Sequence, residues 1–334
     1  MANFLMRPED ELMHKPDASP NFNESVYTNG FNVASAVGGW MRLGNRVNEG
    51  HAELSVCFYL PDGRIACQFQ RPKIASNDRF DAGGLSYSVI EPLRKISMTF
   101  DGELIIVDDP EALRDPRDLL SNGPRQPGRV HWVHEAESPI HGGEPTDDAV
   151  QTMYGRDFSL GHFNQHSRVH GEIRVGSESW SIDGHGWRDH SWGPRYWQAI
   201  YYYRLFIANF PNGDGFMLLK ITDKNGKARR QGVLLVDGDY EDILDLDVST
   251  DWSARQDPSK VRIGVMTARR KAQITAEILT LAPLRNRRKT AENETLVSRI
   301  AEGFTRFTWD GQQGYGMTEY IERLEDGRPV GYPL

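Results

Sequence analysis

The stretch HAELSVCFYLPDGRIACQFQ, residues 51–70, indicates the fold class of the chain. Every second side chain from Ala52 to Leu60 is apolar, whereas Glu53 falls on the opposite face. This period of two is that of a half-buried β-strand, and Asp62–Gly63 is a pair that favours tight turns between antiparallel strands. The alternation resumes after the turn, so the stretch predicts a β-hairpin.

The same turn signal recurs along the whole chain. Asp-Gly or Asn-Gly pairs begin at Asn29, Asp62, Asp101, Asn122, Asp183, Asn212, Asp214, Asn225, Asp237, Asp310 and Asp326. Alternating runs flank several of them, as in residues 201–227 and 272–281. Only DDPEALRDPRDLL, residues 108–120, favours a helix, with Asp109 as its cap and Pro110 in its first turn. We therefore predict a mainly β protein whose antiparallel hairpins close into barrels.

Two distant segments resemble each other. LSYSVIEPLRKISMTF (85–100) and AQITAEILTLAPLRNRRK (272–289) are both alternating and both contain Pro-Leu-Arg. They lie too far apart for a short solenoid repeat, so a duplicated β domain fits better. We place the first barrel at residues 1–190, with a loop-rich insertion near 108–168, and the second at 191–334.

Composition narrows the function classes. The chain has 334 residues, is 38% hydrophobic and 26% charged, and carries a net charge of −8. We expect no nucleic-acid partner because there is no basic run, and no membrane span because no apolar run reaches about 18 residues. Cys57 and Cys67 match no metal spacing and are expected to be free thiols. The N-terminal residues lack the order of a signal peptide, which favours a cytoplasmic location.

The densest chemistry lies in DGHGWRDHSWGPRYW, residues 183–197. In an extended conformation Trp187 and Asp189 share one face, and His190 and Trp192 share the other. We expect bends at the neighbouring glycines to bring all four to one barrel mouth. Core packing of the aromatic rings and an ion pair between Asp189 and an arginine remain the structural alternative.

This mixture of residues favours proton chemistry in an apolar pocket. Aromatic walls desolvate a carboxylic acid and raise its pKa, so Asp189 is the predicted acid. Indole faces stabilise cations, which assigns Trp187 and Trp192 to the walls around a carbocation. His190 is the predicted base or water-orienting group. Because such chemistry needs no organic cofactor and no metal, we expect neither.

Further residues are candidates for contact with the substrate. They are Tyr27, Arg42, His185, Arg195, Trp197, Tyr201, Tyr202 and Tyr203. Arg195 is expected to hold Asp189 or a substrate anion, and Arg42 or Arg46 to meet a carboxylate or phenolate. Arginines such as Arg42 and Arg46 are more often exposed cations on strand surfaces than ligand contacts. Glu24 is a further candidate for the lining of the first barrel.

Three histidines have a spacing that would bind a metal on a helix. His162, His166 and His170 are four residues apart, but the sequence looks extended from about Arg168. We therefore expect no metal site there. The alternative is that His162 or His166 lines the same pocket as His190.

Several motifs resemble one known family. The Trp-x-x-His-x-Trp pattern of Trp187, His190 and Trp192, within DHSWGPR, resembles the signature of the AttH-like family, which includes carotenoid 1,2-hydratase (hydroxyneurosporene synthase). Kievitone hydratase is a related fungal enzyme. ESVYTNGF, GGWMRLGNR, EGHAELSVCFYLPDGR and GYGMTEYIER also look like bacterial members. The resemblance covers roughly residues 20–325.

The resemblance implies two lipocalin-like β-barrel domains in one chain. It also implies that Trp187, His190 and Trp192 take part in the hydration of an unactivated alkene of a terpenoid. Hydratases of the family rely on a downstream Tyr and Asp. Tyr202 and Asp214 are candidates for that pair, with Asp189 as an alternative to the second.

Together these observations favour a cofactor-independent lyase or hydratase acting on a hydrophobic unsaturated or aromatic molecule, terpenoid or phenylpropanoid-like. One alternative is a non-catalytic carrier of a hydrophobic ligand, because lipocalin-like barrels often bind without chemistry. Another is an isomerase or cyclase that uses the same proton transfer but excludes water. A homodimer is left open.

Overall fold

The computed structural model describes residues 3–32, 34–147, 150, 152–156, 158–197, 200–222, 226–289 and 293–330. Its secondary structure is dominated by antiparallel strands, as the alternation and turn signals predict. The chain divides into two compact units. The first unit comprises Met1–Val107 and Pro124–Tyr196, and the second comprises Asp108–Gly123 and Trp197–Leu334.

The first unit is a closed β-barrel. Its strands are β1 (Phe4–Leu5), β2 (Phe22–Asn32), β3 (Val37–Arg46), β4 (His51–Tyr59), β5 (Ile65–Gln70), β6 (Asp81–Ala82), β7 (Leu85–Glu91), β8 (Lys95–Val107), β9 (Arg125–Ala136), β10 (His141–Pro145), β11 (Gly161–Val175) and β12 (Glu178–Pro194). Pairing runs β11-β12-β2-β3-β4-β5-β8-β9 and returns to β11, which closes a ring of eight strands. Short 3₁₀ helices lie at Pro8–Glu11 and Val47–Glu49. Met41, Phe58 and Trp132 are among the fully buried side chains of its core.

The second unit closes in the same way. Its strands are β13 (Tyr202–Asn209), β14 (Gly215–Thr222), β15 (Ala228–Val236), β16 (Asp239–Trp252), β17 (Pro258–Thr267), β18 (Lys271–Lys289), β19 (Thr295–Trp309), β20 (Gln312–Glu325) and β21 (Arg328–Val330). Strands β13 to β20 pair in sequence order, and β13 also pairs with β20. The prediction of two antiparallel barrel domains is therefore confirmed.

The predicted helical stretch belongs to the second unit. It forms a 3₁₀ helix, Pro110–Arg114, followed by the helix α1 at Arg117–Asn122. Asp109 caps the first of these, because its side chain accepts a hydrogen bond of 3.0 Å from the backbone N–H of Glu111. Among the described residues, no helix has the length and apolar character that crossing a membrane requires.

The hairpin at residues 51–70 is formed by β4 and β5. Cys57 lies directly opposite Cys67 in this pair, and both are buried free thiols. Burial raises the pKa of the Cys67 thiol to about 12, so it remains protonated at neutral pH.

Two features differ from the expected domain plan. The segment 108–168 is not mainly a connection, because Arg125–Ala136 forms β9 and completes the first barrel. β9 carries His131 on one face and His134 on the other, and this polar content conceals its period of two. The predicted boundary at residues 190/191 falls inside β12, whereas the compact units divide between Tyr196 and Trp197.

The two Pro-Leu-Arg segments occupy different structural positions. In the first, residues 92–94 form the turn between β7 and β8, and Leu93 has a positive φ of 63°. In the second, Pro283 and its neighbours lie inside the continuous strand β18. The two units thus repeat the barrel architecture, but these segments do not mark equivalent places in it.

Candidate functional site

Strand β12 positions most of the predicted site residues. It pairs with β11 and with β2 without a register shift, so neighbouring side chains point to opposite sides of the barrel wall. Residues 188, 190 and 192 share the parity of the core residue Ile182 and form the inner face. Residues 187, 189 and 191 form the outer face. The expected bends do not occur, and Asp189 and His190 are not brought together.

On the inner face, Arg188 is held by a complete set of partners. It donates to Glu11 Oε1 at 2.6 Å and Oε2 at 3.0 Å, and to Gln165 Oε1 at 2.7 and 3.0 Å. The Tyr87 hydroxyl donates a hydrogen bond of 2.6 Å to Glu11 Oε1. Burial alone would raise the pKa of Glu11, but the Arg188 charge and the hydrogen bonds from Arg188 and Tyr87 together outweigh it and hold that pKa below its usual range. Burial, followed by the Glu11 charge, raises the pKa of Tyr87 well above its usual value.

A second inner-face cluster surrounds Glu24. Its Oε1 lies 3.0 Å from His190 Nε2 and 2.7 Å from His14 Nδ1, while its Oε2 accepts from Asn77 Nδ2 at 2.5 Å. The backbone N–H of His14 also donates to the carboxylate. Burial opposes ionisation of Glu24, but hydrogen bonds from His14 and His190 prevail and keep its pKa lowered. The carboxylate partner of His190 is thus Glu24, not Asp189.

Aromatic rings enclose this cluster. Trp192 stacks on His14 with 3.8 Å between ring centroids, and Phe80 and Phe163 each present an edge 5.5 Å from the His190 ring centroid. The position opposite Trp192 is Gly161, where a Cβ would lie only 2.1 Å from the indole. The Trp192 indole therefore fits at this position because residue 161 has no side chain.

Side chains of metal-ligand type occur in the same cluster. His14 Nδ1, Glu24 Oε1 and His190 Nε2 lie within 4.8 Å of one another, a donor set suited to zinc or iron. The hydrogen bonds to Glu24 already account for this closeness. His162, His166 and His170, in contrast, lie on the extended strand β11 at intervals of about 13 Å, so they cannot ligate one ion.

On the outer face, Asp189 meets a histidine from the neighbouring strand. His162 Nε2 lies 3.5 Å from Asp189 Oδ2, and the Tyr154 ring packs 4.7 Å from the imidazole. Burial lowers the pKa of His162, partly opposed by Asp189, so the imidazole is neutral at neutral pH. Asn164 is directly opposite Asp189 and fully buried, and its amide has no hydrogen-bond partner within the described part of the chain.

An aromatic patch, consisting of Tyr27, Trp40 and Trp187, adjoins this pair. The Tyr27 ring centroid lies 6.1 Å from that of Trp40 and 5.9 Å from that of Trp187. Tyr27 is also opposite Asp189 in the β2–β12 register. The predicted wall residue Trp187 and the candidate Tyr27 therefore lie beside Asp189.

Arg195 also belongs to the outer face. It donates to Ser191 Oγ at 2.7 Å and to Ser25 Oγ at 3.4 Å, and its guanidinium lies 4.1 Å from the Phe158 ring centroid. Burial, reinforced by the Arg42 charge, lowers the pKa of Arg195 to about 9. Its charge is therefore incompletely compensated.

The remaining candidates lie elsewhere. His185 contacts Glu137 at 2.8 Å, four residues along β12 from Asp189. Trp197, Tyr201, Tyr202 and Tyr203 belong to the second unit, where the Arg204 guanidinium carbon lies 3.9 Å from the Tyr202 ring centroid. Asp214 is half-buried in the turn before β14 and accepts from Asn212 at 2.6 Å, so the structure places no Tyr202–Asp214 pair.

Sequence reasoning missed several polar residues of these clusters, among them Glu11, His14, Asn77 and Asn164. Glu11 is 177 residues from Arg188 and has the appearance of a surface acid within the segment PEDE. A weak signal existed only for Asn164, which lies between His162 and His166 on one face of an alternating run. Glu24 was anticipated as a lining residue of the first barrel, and its position on the inner face agrees.

Solved structures share this two-barrel fold. An AttH-like protein from Nitrosomonas europaea is 14% identical with a TM-score of 0.61, over 96% of this chain and 98% of that one. CghA is 12% identical with a TM-score of 0.59, over 98% and 96% of the two chains, and it has also been solved with Sch210972. Kievitone hydratase from Nectria haematococca is 11% identical with a TM-score of 0.59, over 95% and 93%. At such identities the likeness establishes the fold alone.

The fold is therefore the pair of barrels that the AttH-like protein and kievitone hydratase also adopt, as the motif resemblance predicts. No curated protein matches the chain significantly in sequence. The chain belongs to the DUF7064 family, described as a domain of unknown function, whose profile matches residues 7–323.

Proposed function

We propose that the protein is a lyase of the hydratase type, which adds water to, or removes it from, a hydrophobic small molecule by acid–base chemistry without an organic cofactor. The observation that carries this proposal is the 3.5 Å contact between Asp189 and His162 beside the aromatic patch of Tyr27, Trp40 and Trp187. His162 takes the role that the sequence assigns to His190.

The two side chains have complementary roles. The Asp189 carboxyl group gives its proton to one carbon of the alkene, and the positive charge develops on the neighbouring carbon, where ring faces stabilise it. Water forms a bond to that carbon and loses a proton to His162, whose imidazole is neutral because it is buried. The proton returns to Asp189 across their contact, and the reverse sequence gives dehydration.

The substrate class follows from the aromatic patch. Tyrosine and tryptophan rings accommodate flat or branched apolar groups, which favours a terpenoid alkene or a phenylpropanoid-like aromatic molecule. A hydratase among the solved structures of the same fold is consistent with this class of reaction.

The proposal is tested with purified protein, a panel of terpenoid alkenes and prenylated phenols, and ¹⁸O-labelled water. Mass spectrometry should detect one labelled oxygen in the product. Asp189→Asn and His162→Gln should each reduce turnover by about 10²–10⁴-fold. Asp183→Asn is the matched control, because Asp183 is an exposed acid on the same strand and should leave turnover unchanged.

The alternatives give different results. Unlabelled but rearranged product would indicate an isomerase or cyclase, and saturable binding without product would indicate a carrier. Full turnover in Asp189→Asn would overturn the assignment of the acid.

A further inference from the structure

We propose that the outer face around Ser25 and Gly44 is an oxyanion-binding site, formed by Arg195 and Arg42, which holds a carboxylate of the substrate. This inference rests on the proposed function, because it defines the polar end of the molecule on which Asp189 acts. It specifies an amphipathic acid as substrate, with an apolar part at the aromatic patch.

The register of three strands brings the two arginines to neighbouring positions. Ser25 is directly opposite Ser191 on β12 and Gly44 on β3. Arg195 reaches the two serines, as described above. Because adjacent strands lie about 5 Å apart, a side chain above Gly44 lies next to the Arg195 guanidinium.

Arg42 occupies the space above Gly44. A Cβ at residue 44 would lie 2.8 Å from Arg42 Nη2 and 2.9 Å from Asn23 Oδ1. The missing side chain thus allows the Arg42 guanidinium to extend along β3 towards Asn23, whose Oδ1 lies 3.5 Å from Arg42 Nη2.

The spare hydrogen-bonding groups around these two arginines are mostly donors. Arg195 Nε, Arg46 Nη1 and Asn23 Nδ2 are buried, and none has a partner among the residues that the structure describes. All three side chains are more than nine-tenths buried. Buried donors without acceptors are costly, and a ligand that offers only acceptors would satisfy them.

Arg42 and Arg46 each have a carboxylate partner, whereas Arg195 has none at ion-pair distance in the described part of the chain. Glu53 lies 3.5 Å from Arg42, and Glu49 pairs with Arg46. The hydrogen bonds of Arg195 go to hydroxyl groups rather than to a carboxylate. A substrate carboxylate that accepts two hydrogen bonds from the Arg195 guanidinium would compensate its charge.

The site is continuous with the aromatic patch. Tyr27 is opposite Arg42 on β3 and opposite Asp189 on β12. A substrate whose carboxylate lies between the arginines therefore has its first apolar atoms over Tyr27, next to Asp189.

The test compares two probes that differ in charge. Binding of 2-naphthoate and of 2-naphthalenemethanol is measured by tryptophan fluorescence quenching at pH 7. We expect naphthoate to bind the wild-type protein at least about tenfold more tightly, and Arg195→Met to abolish this preference while alcohol binding persists. Arg42→Met should reduce the preference, and Arg64→Met, which changes a hairpin arginine paired with Asp62, should not.

Thermal unfolding separates a ligand-binding role from a structural one. If Arg195 is retained for a ligand, Arg195→Met leaves the Tm unchanged or raises it, because a buried, partly uncompensated charge is removed. Equal affinity of the two probes for the wild-type protein, or loss of both together with a Tm lowered by several degrees in Arg195→Met, would overturn the inference. Asp189→Asn should keep the naphthoate preference even though turnover is lost, so the two proposals can fail separately.

Discussion

The two faces of β12 differ in how completely their amide and guanidinium donors are satisfied. On the inner face, Arg188 and Glu24 have several partners each, most of them from distant parts of the chain. On the outer face, Asn164, Trp187 and Arg195 keep buried donors that have no partner in the described residues. These five residues are all buried, so exposure does not explain the difference.

This difference distinguishes structural polar groups from groups kept for a ligand. A completed hydrogen-bond network fixes the positions of its members and leaves no group available to a substrate. A buried donor without an acceptor reduces stability, and a protein retains it where function requires it. By this criterion Arg188 and Glu24 support the barrel, whereas the outer-face donors suit a ligand. His190 contacts Glu24 through Nε2 but keeps a buried Nδ1 without a partner in the described residues.

The largest effect is expected from a variant that breaks the hydrogen-bond network of the inner face. Arg188→Met leaves the Glu11 carboxylate buried without its cation, so the free energy of unfolding should fall by about 3–5 kcal/mol. Urea denaturation of the purified protein measures this loss. The double variant Glu11→Leu/Arg188→Met should recover part of it, and a loss below about 1 kcal/mol in Arg188→Met would contradict a structural role.

The second prediction concerns acid stability. Burial, followed by the Arg188 charge, lowers the pKa of His134 from 6.5 to about 3. The unfolded chain therefore binds a proton that the folded chain does not, and stability is lost as pH falls below about 6.5. Between pH 7 and 4.5 this amounts to about 2–3 kcal/mol.

Denaturation at a series of pH values tests this dependence. His134→Asn should flatten the slope of the unfolding free energy in this range, whatever its effect at pH 7. His170→Asn is the control, because His170 is exposed on β11 and should leave the slope unchanged. An unaltered slope in His134→Asn would refute the assignment.

The smallest effect compares two neighbours on β11. Asn164→Leu removes an unsatisfied outer-face amide and should leave stability unchanged or raise it by up to about 1 kcal/mol. Gln165→Leu removes an inner-face amide that donates to the Leu93 and Ser138 carbonyls, at 3.1 and 2.9 Å, and should cost about 1–3 kcal/mol. Equal losses in the two variants would remove the distinction between the faces.

Local patterns were sufficient to predict the barrels. The alternation in β4 and β5 and the recurrent Asp-Gly and Asn-Gly turns depend on neighbouring residues, so one sequence reveals them. The same period of two correctly separates Trp187 and Asp189 from His190 and Trp192. The sequence did not reveal the strand β9, because His134 stands on its inner face at a position where an apolar residue would continue the alternation.

The partners within the site could not be predicted in the same way. Glu11 and Glu24 reach β12 only after the barrel closes, and no local spacing encodes that contact. His162 was an open alternative, because its approach to Asp189 depends on the register between β11 and β12. The unsatisfied donors that suggest a ligand are visible only once burial is known.

The uninterrupted pairing of β12 has a consequence for the divergence of such proteins. Odd-numbered positions can change with a new substrate while even-numbered ones preserve the fold, so two sets of mutations accumulate independently on a single strand. An insertion or deletion of one residue before position 187 would exchange the two sets, bringing Asp189 into the barrel and turning His190 outward. Sequence drift in this segment should therefore proceed by substitution and conserve its length.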